Sequence, residues 1–148
     1  MALRDIVMDT NPQLRKVSRP VTAFDAKLAK LLDDMRQTMH AADGCGLAAP
    51  QVGILRRLAV VEADDVYLEL INPTFVETSG EQIGPEACLS VKDRSCDVKR
   101  PYRITIAYQN RDGKPMRKTL EGFVARACCH EMDHLDGVLF YDKEYRQR

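Results

Sequence analysis

The run His130-Glu131-Met132-Asp133-His134 constrains this chain more than any other stretch. It reads H-E-x-x-H, and the surrounding pattern predicts a helix over 125–135. Residues four apart lie on one face of a helix, so His130 and His134 project together and can bind one metal ion. Glu131 sits beside them, placed to take a proton from a water that the metal activates. Two histidines do not complete such a site, because catalytic metals usually have three protein ligands and one open position. An ordinary core or surface helix can carry the same spacing. Against that stands the rarity of histidine here: the chain has three, and the third is His40.

At 148 residues the chain is long enough for one domain, 1–148, with a real core. Hydrophobic residues make up 45% and charged residues 30%, a soluble globular balance, and the formal net charge is zero. That balance gives no basic field for nucleic acid or for an anionic membrane. No apolar run reaches the length of a membrane-spanning helix. The acidic N-terminus, Met1 to Asp9, lacks the apolar core of a signal peptide. Five cysteines, Cys45, Cys88, Cys96, Cys128 and Cys129, form no C-x-x-C pair; an odd count without a secretory signal implies reduced thiols and a cytosolic setting. Adjacent Cys128 and Cys129 point in different directions on a helix and read as packing residues.

Taken in order, the first twenty residues are turns and extended chain, with one helical turn near Gln13–Lys16. Thr22-Ala-Phe-Asp25 has the form of a capping box, and the helical period of Phe24, Leu28, Leu31, Leu32, Met35 and Met39 predicts a helix over 25–42. His40 lies at its C-terminal end, where the helix dipole favours an imidazole, and reads as structural. A small, glycine-rich stretch follows, Gly44-Cys-Gly-Leu-Ala-Ala-Pro-Gln51-Val-Gly53, with Gln51 as its one polar side chain. It lacks the Gly-Lys-Ser/Thr of a phosphate loop. Either it is a plain connection, or a ligand or another backbone approaches it closely. Strands are predicted at 58–62, 66–70, 75–78, 96–99, 103–108 and 116–120, the last two as a hairpin across Asn110–Lys114. A short apolar segment, 138–141, and a frayed polar tail, 142–148, end the chain. The fold class is α+β: short antiparallel strands around a central H-E-x-x-H helix. Between the strands, Cys88 in Pro85-Glu86-Ala87-Cys88-Leu89-Ser90 is the natural candidate for the third ligand, since a thiolate suits a borderline-soft divalent metal; alone, such a cysteine would read as a small buried hydrophobe.

Three ordered stretches, Gly44-Cys-Gly-Leu-Ala-Ala-Pro-Gln51, Glu86-Ala-Cys-Leu-Ser90 and His130-Glu-Met-Asp-His134, resemble the signatures of the peptide deformylases: G-φ-G-φ-A-A-x-Q, E-G-C-φ-S and H-E-x-x-H. Asn11-Pro-Gln-Leu-Arg15 is similar to the family's D-P-x-L-R start, and Asp136-Gly137 to its ending, so the resemblance spans nearly the whole chain. It implies Cys88, His130 and His134 as ligands of one divalent metal. Fe(II) is then the native ion, and Zn, Ni or Co can occupy the purified protein. It implies hydrolysis of the N-formyl group from N-formylmethionyl nascent peptides. Glu131 would move protons, while the Gln51 amide and the backbone N–H of Leu89 would steady the oxyanion. The peptide would add as a strand beside residues 44–46 and the strand before Cys88, with Gly44 and Gly46 allowing close approach. Cys45, Glu86, Ala87, Phe123, Arg126 and Ala127 would line the substrate pocket, Arg126 through its methylene stem or paired with Glu86.

Three positions depart from the family pattern: Ala87 for glycine, where a methyl could crowd the peptide unless φ is negative; Cys45 for an aliphatic residue; and Cys129 for glutamine. The long C-terminal helix with which some relatives dock on the ribosome is not in the sequence, which leaves transient ribosome contact as the expectation. Formyl-methionine initiation implies a bacterial cytoplasm or an organelle of bacterial origin, and without a transit-like N-terminus the expectation is the bacterial cytoplasm. The rivals are a metal endopeptidase, for which only fourteen residues after His134 leave little room for a later third ligand, and a metal-retaining binding or sensing protein with Cys45 as a fourth ligand.

Overall fold

A computed structural model describes residues 2–146. Its two helices are α1 (Ala26–Ala41) and α2 (Gly122–Leu135). Its strands are β1 (Gly46–Ala48), β2 (Leu58–Ala63), β3 (Val66–Ser79), β4 (Gln82–Cys88), β5 (Val91–Arg100), β6 (Arg103–Gln109) and β7 (Pro115–Glu121). Short 3-10 turns occupy Pro12–Arg15, Ala49–Val52 and Phe140–Lys143. Five strands form an antiparallel sheet in the order β1-β2-β3-β6-β7, and β4 and β5 pair separately. The α+β expectation is met. No helix among the described residues is long and apolar enough to cross a membrane.

The alternation of β2 explains why the sheet lies between the two helices. Successive strand side chains face opposite ways. Leu58 and Val60 join Leu28, Leu32, Met35 and Met39 of α1 in one core cluster. Val61 instead joins Val124, Ala125, Cys128 and Met132 of α2, with Leu68, Leu70, Ile104 and Ile106. Cys128 and Cys129 are both buried, as packing residues should be.

Several expectations need correction. The cap of α1 is Asp25, whose carboxylate accepts the Leu28 N–H at 3.0 Å, and not a box begun by Thr22. The strands expected at 66–70 and 75–78 are one strand. Asn72 takes a positive φ of 52° within it, and the pairing with β6 shifts there. The Asn72 side chain makes this tolerable by bonding the Val21 N–H and C=O, both at 2.9 Å. β5 starts five residues earlier than expected and pairs with β4, which brings Cys88 opposite Val91. The tail expected to fray is a 3-10 turn through Lys143; its last two residues lie outside the described residues.

His40 does have a structural partner. Its Nε2 lies 2.6 Å from Glu62, which Arg36 also grips with Nε and Nη2 at 3.0 and 2.9 Å. Arg36 and then His40 hold the Glu62 carboxyl down to about 2. A carboxyl whose folded pKa is depressed adds stability above its unfolded value of about 4.3 and loses it as pH falls through the folded value. The gap in urea midpoint between wild type and Glu62→Gln is therefore expected to be open at pH 6 and to close between about pH 4.5 and pH 2.

Candidate metal centre and substrate pocket

The buried face of α2 carries the centre. His130, Glu131 and His134 are all buried, and the two imidazoles meet edge to face with centroids 5.1 Å apart. β4 delivers Cys88 to the same point, with Sγ 3.3 Å from His134 Nε2. Cys88, His130 and His134 each offer a ligand atom, and these atoms lie within 4.8 Å of one another. Among the described residues this is the cluster of at least three such groups; Cys45 is outside it.

The helix is anchored at its far end. Arg57 Nη1 and the Ser18 N–H both bond the Leu135 carbonyl, at 3.0 and 2.8 Å. Gly137 then takes φ 74°, with its α-carbon pressed on the Arg15 carbonyl where a Cβ would collide.

Gln51 reaches the cluster from the 3-10 turn after β1. Its Oε1 accepts the Ala48 N–H at 2.9 Å, which fixes the amide orientation and turns Nε2 inward. Nε2 donates to Ser90 Oγ at 3.0 Å and lies 3.4 Å from Cys88 Sγ. Ser90 is fully buried; it stood in the second motif without an assigned role.

Glu131 has Oε1 buried with no hydrogen-bond partner among the described residues. Burial pushes this carboxyl up to about 7, against the pull of His130. Its Oε2 lies so close to Gly46 that a Cβ there would collide with it. A Cβ at Gly44 would come within 2.7 Å of the Leu89 side chain. Both glycines are closely approached, but by the side chains of Leu89 and Glu131 and not by the ligand or backbone expected.

A pocket of about 360 Å³ opens above the cluster. Gly44, Cys45, Gly46, Glu86, Ala87, Phe123, Arg126 and Ala127 all line it, as do Gln51, Cys88, Leu89, His130 and Glu131; Asp43 and Pro85 were not foreseen. Ala87 is exposed and sits at the register shift between Glu86 and Cys88, without a positive φ, so alanine fits the backbone there without strain. Phe123 is half exposed at the rim. Arg126 does pair with Glu86, at 2.7 Å, and its Nη1 also bonds the carbonyls of Gly84 and Val98 at 3.2 and 3.0 Å.

Glu86 is held on all sides. Arg100 forks onto it with Nε and Nη2 at 2.9 Å each, and His130 Nδ1 lies 2.8 Å from its Oε1. Burial alone would raise its pKa; the Arg100 and His130 donors hold it down to about 2. Arg100 also bonds Asp133 at 2.6 Å.

This donor set fits a divalent metal. A thiolate and two imidazoles converge, and the unpartnered Glu131 oxygen sits beside them. A family profile described as polypeptide deformylase matches residues 3–148. The chain is 51% identical over 148 residues to the peptide deformylase of Acetivibrio thermocellus, covering 99% of this chain and 86% of that one. It is similar to the crystal structure of peptide deformylase from Thermotoga maritima, with a TM-score of 0.96 at 39% identity, covering 99% of this chain and all of the other. It is also similar to a Met-Ala-Ser-bound class I type b peptide deformylase from Acinetobacter baumannii, with a TM-score of 0.91 at 30% identity, covering 97% and 99%. On a match that runs the length of the sequence and a backbone that follows it, the chain belongs to the polypeptide deformylase family.

Proposed function

We propose that the chain acts as one catalytic domain that removes the N-formyl group from formyl-methionyl nascent peptides, releasing formate, with Cys88, His130 and His134 holding one divalent metal. The observation that carries this is the convergence of those three ligand atoms, with Cys88 and His130 lining a pocket, beside a Glu131 oxygen without a hydrogen-bond partner among the described residues and an oriented Gln51 amide. When bound, the metal supplies Lewis acidity, polarising a carbonyl oxygen and bringing the pKa of a water towards roughly 7. Fe(II) is the native ion, with Zn, Ni or Co acceptable to the same ligands.

The residues of the chain do the rest. Glu131 takes a proton from the attacking water and hands it to the leaving amine. The Gln51 amide and the backbone N–H of Leu89 stabilise the charge that grows on the formyl oxygen; one such donor is worth roughly 3 kcal/mol. β1 and β4 each end a sheet, and the pocket lies between them. An extended peptide adds there by main-chain bonds, which tolerate varied sequence after the methionine. Cys45, Phe123, Arg126 and Ala127 receive the methionine side chain. The setting is the bacterial cytoplasm, with transient ribosome contact.

The test is formate release from formyl-Met-Ala-Ser by protein loaded anaerobically with Fe(II). Formate without internal cleavage is the expected result. Internal cleavage would make the chain an endopeptidase, and no formate from protein holding one metal per chain would end the deformylase reading.

A further inference from the structure

The β4–β5 hairpin brings Cys88 to the centre, yet its apolar residues pack elsewhere. Cys88, Val91, Cys96 and Val98 cluster with Phe140 and Tyr141, while α2 packs on the five-stranded sheet. What joins the hairpin to α2 beside the ligands is polar. Glu86, two residues before Cys88, receives Arg100 from β5 and both Arg126 and His130 from α2. Its side chain is 4% exposed, so it offers almost no surface to a substrate. The two histidines are unequal: His130 Nδ1 faces the Glu86 carboxylate, whereas His134 Nδ1 is buried without a partner among the described residues.

An imidazole has two nitrogens, and a carboxylate can only accept. A carboxylate 2.8 Å from Nδ1 therefore selects the tautomer with the proton on Nδ1 and leaves the lone pair on Nε2. We propose that Glu86 is a positioning residue of the metal centre: it fixes His130 as an Nε2 ligand and, through Arg100 and Arg126, clamps the Cys88 strand to the helix that carries both histidines. This rests on reading Cys88, His130 and His134 as the ligands. It replaces a pocket-wall role for Glu86 with one exercised through His130.

The test is Co(II) affinity by chelator competition on the full chain, read beside steady-state formate release. Glu86→Gln keeps the shape and loses the charge. Its Co(II) Kd is expected to rise about 10- to 100-fold, the usual effect of removing a carboxylate behind a metal-bound histidine. Its kcat at full cobalt occupancy falls, and KM for formyl-Met-Ala-Ser stays within about twofold, because the side chain does not touch the peptide. An unchanged Kd overturns the proposal, and a raised KM with unchanged Kd restores the pocket wall. A readout independent of the variant is the nitrogen-proton correlation of His130 in zinc-loaded wild type. A proton on Nδ1 supports the proposal, and its absence overturns it even if Glu86→Gln fails to fold. His130→Ala separates the two levels. If it binds Co(II) as tightly as wild type, the ligand reading falls and the proposal with it; if it binds weakly while Glu86→Gln binds normally, only the proposal falls.

Discussion

Glu131→Gln protein, loaded with metal, is expected to keep its fold and its metal and to lose about 10²- to 10⁴-fold in kcat, the range for removing a positioned general base. Glutamine has the size of glutamate, so the packing against Gly46 survives. The carboxylate is not among the three clustered ligand groups, so metal content by emission spectroscopy should stay at one per chain. What disappears is basicity. Burial holds the wild-type carboxyl up at about 7, close to the pH at which the proposed role has it accept and return a proton. An uncharged amide can do neither. A kcat within tenfold of wild type, at equal metal content, would remove Glu131 from the proton-transfer step.

Glu131 was legible in the sequence because its signal is local. A spacing of four on one helix places two ring nitrogens and fixes a neighbour, whatever the rest of the chain does. Gln51 and Cys88 were legible for a different reason. Gln51 stood as the one polar side chain in a stretch of small residues, Cys88 as a thiol that could complete a two-histidine site, and the three stretches in order resembled a family. The departures from that family were legible as residues and not as effects. Ala87 read as a threat to the peptide because glycine is usual there. The backbone at the register shift between Glu86 and Cys88 is one any residue can adopt, so alanine brings no strain there, and a register shift leaves no mark in a single sequence.

The sheet was legible where it alternates and obscure where it does not. β6 and β7 followed from Ile104 and Ile106 and from the Asn110–Gly113 turn. β3 was split in two at Asn72-Pro73, since a proline and a positive-φ residue ordinarily end a strand. The strand runs through because Asn72 finds partners in Val21, 51 positions away in sequence. β5 was read at less than half its length because Lys92 to Ser95 are exposed and polar, and nothing local separates them from a loop. The same limit hid Arg100. It is one of 22 basic residues, at the end of a polar strand, and its importance lies in what it meets across the hairpin.

Replacing Arg100 with methionine should lower stability by about 3 kcal/mol, the low end for breaking a buried ion pair, which is about 6–12 °C in the Tm of a chain this size. The guanidinium is 3% exposed and bonds two carboxylates, Glu86 with a fork and Asp133 singly. Methionine fills much of the volume, so the loss is electrostatic and not a cavity. Glu86 retains Arg126 and His130, and Asp133 retains Lys143, which keeps the effect at the lower end of that range. Arg100→Lys keeps the charge but cannot form the fork, and should recover only part of the loss. The pH dependence follows from Glu86, whose folded value near 2 lies below the unfolded value of about 4.3. Its stabilisation is complete above the unfolded value and vanishes as pH falls through the folded one. Calorimetry on metal-free protein should therefore find the gap between wild type and Arg100→Met wide at pH 6 and shrinking below about pH 4.5. A gap that is absent at pH 6, or that widens in acid, would mean that the hairpin is held to α2 by something other than this carboxylate and its cations.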